Sequence, residues 1–555
     1  MRHVPSVCVI GLTAVLTACG GSSTSTTRSP TTYSVGGTLS GMSGTIVLQN
    51  NGTDTLTLTN DGAFAFSTTL APNSAYSVTV VTQPIDQTCS VSDGSGTLSA
   101  SIDDVAVICT WNTAVTEQWT WYAGSDYVAA PGVYGTQGTA AAGDTPGARR
   151  EPSSWTDANG NFWLFGGYGT GVSAGTVGML DDLWEYTPSA GQWVWQGGAD
   201  STGAPASYGS QNTPAAGNTP GAREGAAHWV DASGNLWLFG GDSLSGQSSE
   251  QFNDLWEYVA ADAQWVWVGG SNVAGNAGSY GSLGVAAPDN LPPARTGAIS
   301  WVDKSGVFWL FGGAQLNPNG SLAGALDDLW SYSTTTGMWT WVGGSSALNA
   351  AGMYGSQGTA AAGNVPAARA GGTVWVDANG NFWLFGGLGL SQSGISQQYN
   401  DLWEYSPGSG EWTWVGGSDA PDDAGIYGTQ GSSAAGDGPG ARASAVSWED
   451  TTGNLWLFGG YGYDALGDAG NLNDLWEYNI DTGLWTWVGG SSNTGISGSY
   501  GTQGTSSAGN VPGARQQAVG WRDASGNFWL FGGFGFDAFG EQQNLNDLWS
   551  YTPNS

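Results

Sequence analysis

The triplet Phe-Gly-Gly occurs six times, with Phe at 165, 239, 311, 385, 458 and 531, so that copies are 74, 72, 74, 73 and 73 residues apart. Around it each unit repeats one order of signals: an Arg, Trp-x-Asp, a turn such as Asp157-Ala-Asn-Gly-Asn161, an apolar Phe/Leu-Trp-Leu-Phe-Gly-Gly, a variable segment, Asp-Leu-Trp-Glu/Ser-Tyr, and Trp-x-Trp. That is four strand-like segments per unit. Phe162-Trp163-Leu164-Phe165 is apolar at successive positions, so both faces of that strand need cover. Four-stranded sheets stacked radially supply it, because each packs between two neighbours and only short edges stay exposed. A linear solenoid would also repeat, but it needs capping ends that this chain lacks.

The units are out of step with the chain end. The sixth stops at Tyr551 after its third strand, while Glu117-Gln-Trp119-Thr-Trp121 supplies an unpaired fourth-strand motif ahead of the first. The 31 Trp test this reading: units one to five hold five each, the sixth holds Trp521, Trp529 and Trp549, and Trp119 with Trp121 completes it. Only Trp111 lies outside, so the 119–121 strand is expected to clasp the sixth sheet. Phe239-Gly240-Gly241, Asn253-Asp254-Leu255-Trp256-Glu257-Tyr258 and Trp265-Val266-Trp267 resemble kelch repeats. The resemblance covers about residues 114–555 and implies an all-β fold, a six-bladed kelch-type β-propeller closed by an N-terminal strand. The unit departs from that family in length, about 73 residues against about 50.

Composition narrows the function classes. Aromatics at 12% and apolar residues at 40% are too abundant for disorder. With 45 acidic and 11 basic residues, the formal charge of −34 repels phosphate backbones and excludes nucleic-acid partners. At the N-terminus, Arg2 and His3 precede an apolar stretch from Val7 to Leu16, and Leu16-Thr17-Ala18-Cys19 resembles the lipobox of bacterial lipoproteins. That resemblance implies a signal peptide over 1–18, lipidation of Cys19, and a membrane association through the lipid anchor only. Gly20 is not the Asp of inner-membrane retention in that family, which implies an outer-membrane or cell-surface position in the envelope. Residues 19–32 read as a flexible tether. Over 33–112, alternating runs such as Thr45-Ile-Val-Leu and Ala63-Phe-Ala-Phe, broken by Asn60-Asp-Gly, predict a small β-sandwich ahead of the propeller at 113–555. It resembles the immunoglobulin-like or transthyretin-like spacers of bacterial surface proteins. Once Cys8 leaves with the signal and Cys19 is lipidated, Cys89 and Cys109 remain, and an oxidising compartment makes them a disulfide.

In an up-and-down blade the connections after strands two and four emerge on one face. The first set differs from copy to copy, and loops that vary on a fixed scaffold are where recognition usually resides. Two repeated polar positions are candidates for ligand contact. Arg149, Arg223, Arg295, Arg369, Arg442 and Arg515 can ring the mouth of a central channel and bind an anionic group, or each can pair with a repeated Asp, such as Asp182, Asp254, Asp328, Asp401, Asp474 or Asp547, and brace the strands. Tyr134, Tyr208, Tyr280, Tyr354, Tyr427 and Tyr500 can stack on sugar rings if exposed, or pin the long connections if buried. Asp157-Ala-Asn-Gly-Asn161 is similar to the start of a calcium loop, but the distal acidic ligand is missing and Asn-Gly is a strong hairpin signal. No metal or cofactor is expected. The copper chemistry of galactose-oxidase-like kelch enzymes needs two His and a Cys crosslinked to Tyr. Beyond Cys19 this chain has one His, His228, and both remaining cysteines fall in the N-terminal module. The sequence therefore points to a monomeric binding module for a glycan or an extracellular protein. The alternative is a carbohydrate-active enzyme of mutarotase or epimerase type.

Overall fold

The computed structural model describes residues 32–42, 45–84, 87–111, 117–246 and 248–554. The leader at 1–18, Cys19 and all of the tether but Thr32 lie outside them. No helix occurs among the described residues; the chain is all-β, in many small sheets that are antiparallel except for one strand pair. It divides into two compact units, 1–111 and 112–555.

In the first unit, one sheet runs in the order Gly62–Ala65, Val35–Ser40, Ile102–Trp111, Gln87–Ser92. The other runs Asp54–Leu58, Ile46–Asn50, Ala75–Thr82, Ser95–Thr97. Alternate residues point inward, as a half-buried pleat requires, and Val35, Leu39, Ile46, Leu48, Phe64 and Val107 share one core. Cys89 and Cys109 are directly opposed on neighbouring strands and joined by a disulfide.

Among the described residues the second unit contains six antiparallel sheets of four or five strands and one two-stranded sheet, and in the first five of the larger sheets the strands follow chain order. In the fourth repeat these are Thr373–Val376, Phe382–Leu390, Ser396–Ser406 and Glu411–Gly416. The turn between the first two strands is set by Asp377, whose Oδ1 accepts the N–H groups of Asn379 and Asn381 at 2.8 and 2.9 Å. The sixth sheet takes its fourth strand from Trp119–Ala123, which pairs with Gln542–Tyr551 so that Trp119 faces Tyr551 and Trp121 faces Trp549.

Cores form between successive sheets. At three junctions the first-strand Trp of one repeat stacks on the first Phe of the next repeat's second strand: Trp229 on Phe308, Trp448 on Phe528 and Trp521 on Phe162, each with ring centroids 5.2 Å apart. The last of these joins repeat six to repeat one. First strands also meet in sequence, Ser153–Thr156 against Ala227–Val230 and onward to Val519–Arg522, which lies against Ser153–Thr156. A circuit of backbone hydrogen bonds follows the same path: the N–H groups of Gly225, Gly297, Gly371, Ser444, Gln517 and Glu151 each donate to the carbonyl of the preceding member, at 2.7–3.1 Å. All six donors have φ between 52° and 66°. Glycine adopts that region without strain, whereas Glu151, Ser444 and Gln517 bear its cost.

The structure differs from the sequence reading at Gly-Gly. Strand two does not end there but continues to Thr170 in the first repeat, against Val177–Thr187, with the register shifting between Phe165 and Gly167. The positive φ of Gly166 and Gly167 forms a bulge that bends the strand without terminating it. Only in repeat two does the extension separate, as the hairpin Asp242–Ser245 and Ser248–Gln251. Most of each segment read as a variable loop is thus an extended two-stranded arm, and only its tip is a turn.

Candidate binding face

The repeated Arg, Tyr, Asp and Trp meet in six similar networks, the second differing in that Arg223 reaches the Pro220 carbonyl through Nη2 instead of Nε. In the fourth, Arg369 donates to both oxygens of Asp401 at 2.6 and 2.7 Å, to the Gly386 carbonyl at 2.8 Å and through Nε to the Ala367 carbonyl at 2.9 Å. The Tyr354 hydroxyl and the Trp403 indole both donate to Asp401 Oδ2 at 2.7 Å. The other five pair Arg149 with Asp182 and Tyr134, Arg223 with Asp254 and Tyr208, Arg295 with Asp328 and Tyr280, Arg442 with Asp474 and Tyr427, and Arg515 with Asp547 and Tyr500. All six Arg are at most 1% exposed. Burial first, and the neighbouring carboxylate second, pushes each tyrosine hydroxyl well above its usual range, so it stays a donor. These twelve residues were candidates for ligand contact; in this geometry they are ties. Each network joins a long connection (Tyr), strand one (Arg) and strand three (Asp and Trp), and its polar groups face one another instead of solvent.

The groups left over for recognition sit at the end of the sheets that carries the arms. There the arm tips are hydrogen-bonded to the connections that follow strand four: Val172 N–H to the Asp200 carbonyl at 2.8 Å, Gly132 N–H to Gly171 at 3.0 Å, Ala465 N–H to Ser492 at 3.1 Å and Ala538 N–H to Asp126 at 3.1 Å. The tips differ in sequence but most share one property. Four of the six present an exposed apolar side chain, Val172, Ile395, Leu466 and Phe539, and in repeat two Leu244 is exposed on the strand just before the tip. The tips of repeats five and six, Asp464-Ala-Leu-Gly-Asp468 and Asp537-Ala-Phe-Gly-Glu541, are held alike. Buried Asp464 and Asp537 each accept two N–H groups of their own tip through Oδ1 at 2.8–3.0 Å, and one from a neighbouring connection through Oδ2. Leu466 and Phe539 therefore project from fixed turns.

A second feature lies beside the hydrogen-bonded circuit. Immediately after the network Arg, repeats one to six carry Arg150, Glu224, Thr296, Ala370, Ala443 and Gln516, so the sixfold pattern breaks. Arg150 lies over the Tyr168 ring at 4.6 Å and reaches Phe534 of repeat six at 5.9 Å. Its Nε is 3.4 Å from Glu224 of repeat two. The backbones of Glu224 and Asp242 form an isolated antiparallel bridge. Burial, reinforced by the charge of Glu151, pushes Glu224 up to about 8, and burial pushes Asp242 up to about 7. Glu151 is raised as well, again by burial, with Gln517 of repeat six hydrogen-bonded to its side chain. The cluster thus joins repeats six, one and two: one cation, two carboxyls that hold or exchange protons near neutral pH, a third raised in the same direction, and aromatic rings. It also contains a strained residue, Glu151 at φ 52°.

None of these residues belongs to a column that repeats in all six units. The signal was available in the columns that do not: the position after the Arg, and the position after Gly-Gly, where Tyr168, Asp242, Ala314, Leu388, Tyr461 and Phe534 stand. His228 packs its ring edge-on against Trp155 at 5.7 Å, and burial pushes it down to about 4, so it is neutral. The Asp157 turn is self-satisfied: Oδ1 accepts the N–H groups of Asn159 and Asn161, and Oδ2 accepts the Trp163 indole at 3.1 Å.

No family model matches the chain. No curated protein matches it. Among solved structures it is similar to one titled "Structure of YjhT", with 16% identity and a TM-score of 0.42, over 73% of this chain and 95% of that one.

Proposed function

We propose that this protein is a lipid-anchored, extracytoplasmic binding module. In this reading the first unit is an immunoglobulin-like or transthyretin-like spacer, and the second is a six-bladed kelch-type β-propeller clasped by Trp119–Ala123. The hydrogen-bonded circuit through all six repeats supports the closed ring. The Cys89–Cys109 disulfide supports an oxidising compartment, and the Cys19 lipobox a tether to the envelope. The ligand is a glycan, taken at the Arg150 cluster. One observation carries this: a scaffold needs repetition, and repetition breaks around Arg150, where donors, acceptors and aromatic faces meet, the chemistry that recognises a sugar ring. A glycan array probed with the mature chain, followed by calorimetry on the hits, tests it. Arg150→Ala and Glu224→Ala each weaken binding at least tenfold while the tryptophan fluorescence stays native. Failure against every glycan, or unchanged affinity in both variants, refutes the glycan reading and redirects the search to protein partners.

One observation favours a second reading, an enzyme of mutarotase or epimerase type. Glu224 and Asp242 titrate at about 8 and 7, so one carboxyl can donate a proton while another accepts one near neutrality. Exchange spectroscopy of the two anomers of a bound sugar distinguishes the cases. An enzyme accelerates the exchange, and Glu224→Gln abolishes it at saturating sugar.

A further inference from the structure

The end of the second unit that carries the arms is apolar and acidic at once, and it has no free cation. Leu466 and Phe539 are 77% and 74% exposed, on turns whose buried Asp464 and Asp537 fix their direction. Between those tips runs the connection with Ile496, and beyond Phe539 runs the one with Tyr127; both side chains are also exposed. The hydrogen bonds from Ala465 to Ser492, from Gly498 to Asp537 and from Ala538 to Asp126 make this a continuous arc. Asp468 and Glu541 stand on the same tips, exposed, two residues after Leu466 and Phe539.

Every basic side chain of the second unit is accounted for elsewhere. Six Arg are internal ties, and Arg150 pairs with Glu224. Lys304 and Arg522 lie at the opposite end of the sheets, where they donate to the carbonyls of Ala378 and Glu449. A solvent-facing surface of apolar side chains with acids and no compensating cations is complementary to a partner bearing the reverse charge. A second copy of this chain does not supply that charge, since it presents the same acidic face. Nor does the first unit, which has no Lys or Arg from 32 to 111.

We propose that this arc, centred on Leu466 and Phe539, docks a basic polypeptide segment that carries aliphatic or aromatic side chains between its Lys or Arg. The apolar side chains enter between the two tips, and the cations meet Asp468, Glu541 and the neighbouring acids. The proposal rests on the arm-bearing end being the working face, but not on a sugar at Arg150.

The test uses the full mature chain and three fluorescein-labelled 16-residue peptides, read by anisotropy at 50 and 300 mM salt. One alternates Lys with Leu and Phe, one keeps Lys but replaces the apolar residues by Ser, and one keeps the apolar residues but replaces Lys by Glu. The first peptide is expected to bind at least tenfold tighter than the other two, more weakly at high salt. Leu466→Ser/Phe539→Ser and Asp468→Lys/Glu541→Lys each lose at least tenfold, whereas Arg150→Ala binds it as the parent does. Equal binding of the Lys/Ser peptide, or an unchanged affinity in Leu466→Ser/Phe539→Ser, overturns the proposal, because mere charge then explains the interaction. So does preferential binding of phosphatidylcholine vesicles through the same two residues. A parent chain that binds a glycan but not the Lys/Leu/Phe peptide refutes this site alone; one that binds the peptide but no glycan refutes the Arg150 reading alone.

Discussion

Replacing Glu224 by Gln should stabilise the protein, and only at high pH. Glu224 is 8% exposed, and its carboxyl titrates at about 8 in the fold against 4.5 for an ordinary Glu, chiefly because burial disfavours the charge and secondly because Glu151 repels it. The folded value lies above the unfolded one. The group therefore costs the fold nothing below about pH 4.5, costs progressively more as pH rises towards 8, and exacts its full penalty above that. At about 1.4 kcal/mol per pH unit the ceiling is about 5 kcal/mol. Because Glu151 and Asp242 share the same proton balance, the part removed with Glu224 is smaller than that ceiling. Gln preserves the shape and leaves an oxygen for Arg150 Nε, so the substitution deletes the charge and little else. Urea unfolding followed by tryptophan fluorescence reports mainly on the second unit, which holds 30 of the 31 Trp. At pH 8.5 the midpoint of Glu224→Gln should exceed that of the parent at equal slope, and at pH 4 the two should coincide. A difference between them that is the same at both pH values refutes the reasoning, since a buried titrating carboxyl cannot give a pH-independent effect.

Asp401→Asn should destabilise by about 3–5 kcal/mol, because it leaves the buried Arg369 charge uncompensated and turns an amide donor towards donors on Tyr354 or Trp403. Amide exchange should show the loss centred on repeat four. Deleting 114–123 removes the fourth strand of the sixth sheet and should replace a single cooperative melt of the second unit by a broad or multiphasic one; an unchanged melt contradicts the clasp. Cys89→Ser/Cys109→Ser opens a loop of sequence separation 20 and should cost the first unit about 3 kcal/mol, leaving the tryptophan-reported transition in place.

Much of this architecture is legible in the residues because the same physical requirement is met six times. An apolar Phe-Trp-Leu-Phe strand needs cover on both faces, and its recurrence specifies neighbouring sheets. The Arg and Asp columns are equally legible as partners, since an Arg that repeats in every unit needs a repeating carboxylate. Two features were hidden. The Gly-Gly pair ends a strand by ordinary turn logic, yet the partner strand beyond Val177 continues the pairing, so Gly166 and Gly167 act as a bulge. The Arg150 cluster was hidden for the opposite reason. Its members come from repeats at the two ends of the chain, and no sequence spacing puts Arg150 beside Phe534 until repeat six meets repeat one.

That meeting is what both functional proposals depend on. Thr120 and Ser550 are directly opposed across the strands that join the N-terminal segment to the last repeat, at a spacing that suits a disulfide in an antiparallel pair. The decisive measurement is therefore oxidation of Thr120→Cys/Ser550→Cys, read by peptide mass mapping and thermal melting. The closed ring predicts an intramolecular 120–550 crosslink in nearly every molecule and a higher melting temperature than in the reduced form. Free thiols under oxidising conditions, or crosslinks found only between molecules, would contradict it.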